Sequence, residues 1–147
     1  MLNPSLLKRI ERTASRYEFA DPNQKQSWVM WLRQPDDLEL DFAADIEANL
    51  VAQFVTGGWH DAKGKYHEKP DLYHTSTGEV LIVSKSALRV ASRLEVMQDA
   101  PEGEAEYTTL QILELIPFFP VAWGEIQKVF VDLITLPKGE MSDTKAS

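Results

Sequence analysis

His60, His67 and His74 fall seven residues apart, and each follows an aromatic: Trp59, Tyr66 or Tyr73. Imidazole and carboxylate together can hold a transition metal, and Asp61, Glu68 and Asp71 are interspersed. The same pairing could transfer protons as a general acid and base. The spacing speaks against both. A helical zinc motif sets its histidines at i and i+4 on one face. This segment contains Gly57, Gly58, Gly64, Pro70 and Gly78 and cannot be one helix. In extended chain an odd interval alternates between faces. A hairpin loop over 61–65, with Gly64 in the left-handed position, would bring Trp59 and His60 against Tyr66 and His67. His60 and His67 would then share one face, with Trp59 or Tyr66 on the other. The expectation is partly exposed, structural histidines, with neither a metal nor a catalytic residue assigned. His60, His67 and His74 stay as the candidates of an alternative, a metal-dependent or acid–base enzyme built on 60–74.

The second pattern is acidic. Asp36, Asp37, Glu39, Asp41, Asp45 and Glu47 lie in a stretch without Lys or Arg from Gln34 to Ala62. On a helix Asp37, Asp41 and Asp45 would stack on one side. Carboxylates near a helix start are favoured by its dipole, so a solvated face is the plain explanation. As a site, the stripe suits a basic protein partner. A further alternative is a nucleic-acid mimic formed by residues 36–47. The cations Lys85, Arg89 and Arg93 also recur every four residues and could pair with these acids. With a net charge of −8, direct nucleic-acid binding is not expected, because contacts to phosphate supply most of that affinity.

The third pattern is aromatic. Trp28, Trp31, Phe118, Phe119 and Trp123 occupy two short segments and read as core. Pro117-Phe118-Phe119-Pro120 is a stiff elbow, since each proline restricts its predecessor. An exposed Phe118 or Phe119 would be a binding anchor, and such an elbow is compatible with a homodimer.

Several elements must position these residues. Asn3 and Pro4 suit a helix start, and Leu6, Leu7, Ile10 and Ala14 predict a helix from Pro4 to about Tyr17. Gln26 to Arg33 is a dense apolar run, readable as a two-turn helix or a strand. Phe42, Ile46, Leu50 and Phe54 recur every four residues and predict a helix from about Asp41 to Val55, ended by Gly57-Gly58. Three or four short antiparallel strands follow over about 58–84. Ser84 or Ser86 caps a helix to about Gln98. An acidic loop runs from Asp99 to Glu106. Helices then cover about Tyr107–Ile116 and Val121–Leu136.

Helices, then hairpins, then helices imply an α+β fold, with terminal helices around a small antiparallel sheet. One domain is expected over residues 1–139, followed by a disordered polar tail at 140–147. The chain has 147 residues, 44% hydrophobic, and can bury one core. It has no cysteine, which excludes disulfides, thiolate metal sites and cysteine nucleophiles, and fits a cytoplasmic location. The most apolar stretch, Leu110–Leu136, carries Glu114, Glu125, Lys128 and Asp132 and reads as core, not membrane. No nucleophile elbow, Walker loop or dinucleotide fingerprint is present. The expected function is a soluble, non-enzymatic protein that binds another macromolecule. The partner is a protein, of the inhibitor, immunity or assembly-chaperone kind. No cofactor is called for. Asp37, Asp41, Asp45, Phe118 and Phe119 are the expected contacts.

Overall fold

A computed structural model describes residues 13–53, 59–60, 63–67, 72–74 and 80–136. The fold is α+β. Strands β1 (Ser15–Phe19) and β2 (Trp28–Leu32) form an antiparallel hairpin. Helix α1 spans Asp37–Gln53. Short strands β3 (Trp59–His60), β4 (Tyr66–His67), β5 (Leu72–His74) and β6 (Val80–Ile82) follow. Helices α2 (Lys85–Met97), α3 (Thr109–Leu115) and α4 (Pro120–Thr135) complete the described chain, with a 3-10 turn at Ile116–Phe118 before α4.

The predicted N-terminal helix to Tyr17 is corrected at its end, where β1 begins at Ser15; residues 4–12 lie outside the described residues. Arg16-Tyr17-Glu18-Phe19 alternates polar and aromatic, the period of a half-buried strand. Phe19 sits opposite Trp28, Tyr17 opposite Met30 and Ser15 opposite Leu32. Those pairs share the core face, and Tyr17 stacks on Phe19 with ring centroids 6.1 Å apart. Arg16 and Glu18 pair on the other face at 3.1 Å. Of Gln26–Arg33, Trp28–Leu32 therefore resolves as strand.

The expected single sheet of three or four strands also needs correction. Among the described residues strands pair only in twos: β1 with β2, β3 with β4, β5 with β6. The β3–β4 and β5–β6 ladders are two and three residues long, too short to offer a long edge to a further strand. The helices pack instead around the β1–β2 hairpin. Its Phe19, Trp28, Met30 and Leu32 join Leu50 of α1, Leu88, Leu94 and Met97 of α2, Ile112 and Leu113 of α3, and Trp123, Ile126 and Phe130 of α4 in one core. The chain after α2 prolongs this layer: Arg33 N donates to Met97 O (3.0 Å) and Asp99 N to Trp31 O (3.1 Å).

Each helix has a defined start. Helix α1 begins four residues before the expected Asp41, because Asp36 and Glu39 cap it reciprocally. Glu39 N donates to Asp36 Oδ1 at 2.8 Å and Asp36 N to Glu39 Oε1 at 2.9 Å. Ser84 Oγ caps α2 through Ala87 N. Thr108 and Gln111 form a capping box on α3. Helix α4 has no cap from its own neighbour Phe119. Asp21, in the β1–β2 turn, supplies it: Oδ2 accepts from Val121 N (2.9 Å) and Ala122 N (3.0 Å). At the other end Gln34 Nε2 donates to Leu136 O at 2.8 Å. The hairpin and its exit thus hold both ends of α4. Burial alone would raise the Asp21 carboxyl, but the N–H groups of Ala122, Asn23 and Val121 outweigh it and hold the pKa below the ordinary value.

Candidate functional site

The β3–β4 register decides the geometry of the first two histidines. Trp59 lies opposite His67, and His60 opposite Tyr66. Directly opposed positions share a face and successive positions alternate. Positions 60 and 66 are therefore on one face and 59 and 67 on the other. The shared face read for positions 60 and 67 is corrected by this register. The His60 ring instead meets Tyr66 edge-on, with centroids 5.2 Å apart, and His60 and Tyr66 are exposed. Gly64 takes the positive φ of +84° expected of the loop glycine. Asp61, Glu68 and Asp71 lie outside the described residues. Among the described residues no three His, Asp or Glu side chains are grouped as metal ligands.

The acidic segment divides. Glu39 turns inward and binds the Arg33 guanidinium through both oxygens, one contact at 2.8 Å. That hydrogen bond raises the Arg33 pKa further above its ordinary value. Glu47 turns toward α2 and meets Arg93 at 2.7 Å, with the side chains 26% and 16% exposed. Of the basic stripe, Arg93 is thus partnered inside the molecule, while Lys85 and Arg89 are exposed. Asp37, Asp41 and Asp45 are exposed on the outer side of α1.

Beside them lies a feature absent from the sequence expectations. Leu38 is 71% and Phe42 58% exposed. With Glu39 of α1 and Glu95 and Val96 of α2, they line an open groove of about 440 Å³. The series Phe42, Ile46, Leu50 predicted the helix but not which of its members face the core. A four-residue step overshoots a 3.6-residue turn by about 40°. Leu50 is buried and Ile46 half-buried, so Phe42, a further step back, leaves the core. Reading that drift would have found it. The groove's far wall is fixed by Glu95, whose Oε1 accepts from Thr109 N and Oγ1, both at 2.7 Å.

The elbow splits its two rings. Phe119 is half-buried and packs on Trp28 with centroids 5.5 Å apart. Phe118 is 60% exposed, with its carbonyl accepting from Gln24 Nε2 at 3.0 Å. Phe118 lines a second open depression of about 320 Å³ with Tyr107, Gln111, Glu114 and Leu115. Burial, and secondarily the charge of Glu104, raises the Tyr107 phenol above its ordinary pKa. Trp28 and Trp123 are core, whereas Trp31 is half-buried and donates to Glu104 Oε1 at 3.3 Å.

Among the described residues no helix is long and apolar enough to cross a membrane. No protein-family model, curated protein or solved structure matches this chain.

Proposed function

We propose that the protein is a cytoplasmic, non-enzymatic binder of another protein, and that the outer face of α1 is the docking surface. The observation that carries this reading is the exposure of Leu38 and Phe42 directly beside Asp41 and Asp45. An apolar pair one turn apart, rimmed by carboxylates, suits a segment that presents apolar side chains flanked by Lys or Arg. The rings supply buried area and the acids supply register and encounter rate. Phe118 is a second, separate anchor. A phosphate mimic gains nothing from exposed rings, and Glu39 and Glu47 are drawn into ion pairs, so the protein-binding reading is preferred to nucleic-acid mimicry.

Capture of partners from native lysate tests this. A protein retained by the wild-type chain is lost with Leu38→Glu plus Phe42→Glu. It is kept when His60, His67 and His74 are all changed to Gln. Retention by the α1 variant, with its circular dichroism unchanged, would sink the proposal. Loss in the histidine variant, together with a stoichiometric metal, would favour the enzyme alternative.

A further inference from the structure

Glu39 and Glu95 both line the groove over α1 and α2, and their charges are met differently. Glu39, on the α1 wall, is neutralised: it binds the Arg33 guanidinium through both oxygens. Glu95, on the α2 wall, is half-buried. Among the described residues it meets only Thr109, whose N and Oγ1 both donate to Glu95 Oε1 at 2.7 Å. Those two donors are uncharged. They fix the carboxylate in place, leave its charge unbalanced and leave Oε2 for a ligand.

The rest of the lining is apolar: Leu38, Phe42 and Val96. A carboxylate held partly out of water attracts a cation more strongly than one in bulk solvent. Here the cation must also cover apolar surface. A long basic side chain does both, because its methylenes lie along apolar groups while its head keeps the charge. Arginine fits better than lysine. Its guanidinium is planar, weakly hydrated and stacks on aromatic rings, and Phe42 offers an exposed ring. An ammonium would have to shed a more tightly held water shell.

We infer that the groove takes one arginine side chain of the partner, its guanidinium on Glu95 Oε2 and the Phe42 ring, its methylenes along Leu38 and Val96. The inference rests on the reading of this face as a docking surface and names the residue that the partner inserts. Glu95 then sets specificity at contact distance, while the exposed Asp41 and Asp45 act on the encounter.

The probe is n-butylguanidinium, the end of an arginine side chain, titrated into the full-length protein and followed by backbone amide shifts. It should move the signals of Phe42, Glu95 and Val96 saturably. At equal ionic strength n-butylammonium should bind more weakly, and the neutral 1-pentanol more weakly still. Glu95→Gln keeps an acceptor for Thr109 and should leave the Thr109 amide signal in place. It should weaken the guanidinium probe about tenfold, the scale of one charge-assisted hydrogen bond. The comparison of the three probes needs no substitution and so does not depend on how the variant folds. Equal binding of n-butylammonium or 1-pentanol overturns the inference. So does unchanged binding by Glu95→Gln, or a shift as large in the acidic loop 101–106 as in the groove. If a captured partner requires Leu38 and Phe42 but tolerates Glu95→Gln, this inference fails and the proposed function stands. If the probe selects the groove through Glu95 while partner capture ignores Leu38 and Phe42, the proposed function fails and the groove's choice of a guanidinium stands.

Discussion

Replacing Phe42 with Ala tests the orientation of α1, on which the binding face depends. Phe42 is 58% exposed, so less than half of its surface is covered. At about 200 Å² for the ring residue and about 25 cal/mol per Å², the covered part is worth at most about 2 kcal/mol. The denatured chain already hides part of that area, and Ala is the better helix former by about 0.5 kcal/mol. The net cost of Phe42→Ala is therefore about 1 kcal/mol. Leu50, two helical turns on, is 8% exposed and joins the core; Leu50→Ala should cost about 3 kcal/mol through lost burial and a cavity. Urea unfolding followed by tryptophan fluorescence resolves the difference, with an unchanged slope showing that the denatured state is the same. A larger loss for Phe42→Ala than for Leu50→Ala would refute the assigned face, and the groove with it.

Other perturbations probe the elements that hold this face in place. Arg93 and Glu47 join α1 to α2 in a largely covered pair; a double-mutant cycle to Ala should return a coupling of about 1–2 kcal/mol, above the range of exposed pairs. The Asp21 carboxyl has a lowered pKa in the folded state. Its contribution is therefore complete above the ordinary value of 3.8 and is lost as pH falls through the lower, folded one. The stability gap between wild type and Asp21→Asn, followed by melting temperature, should be constant at neutral pH and close as pH drops below that value. Gln98 closes the acidic loop, with Nε2 donating to Tyr107 O at 2.7 Å and Oε1 accepting from Tyr107 N at 2.9 Å. Gln98→Ala should cost about 1–3 kcal/mol and speed amide exchange at Tyr107, measured by hydrogen exchange.

Helices with strong local signals were legible from composition and spacing. The Ser84 cap and the Ala87, Val90, Ala91, Leu94, Met97 series locate α2, and Pro120 opens α4. Helix α1 was legible as a helix, but its start was not, because the Asp36–Glu39 cap was read as part of an acidic run. The strand at Ser15–Phe19 was hidden by the helical spacing upstream, although Tyr17 and Phe19 alternate with charges. Pairing between distant elements leaves no local trace. Nothing near Pro120 announces that Asp21 caps it. The candidate site was half legible. The charges Asp37, Asp41 and Asp45 were readable as one exposed face, whereas Phe42 beside them entered only as a member of a helical repeat and Leu38 was not singled out, since hydrophobicity alone does not say which way a side chain turns.

The clamp of Asp21 and Gln34 on the two ends of α4 joins groups 100 to 102 residues apart. At about 5–20 residues per second of synthesis, α4 leaves the ribosome about 5–20 s after the hairpin. Until then Phe19, Trp28 and Met30 lack the helix that covers them, and a carboxylate meant for two helix N–H groups remains in water. The nascent chain thus has a defined interval in which its aromatic hairpin is open to chaperones and to misassociation, and the arrival of one helix ends it.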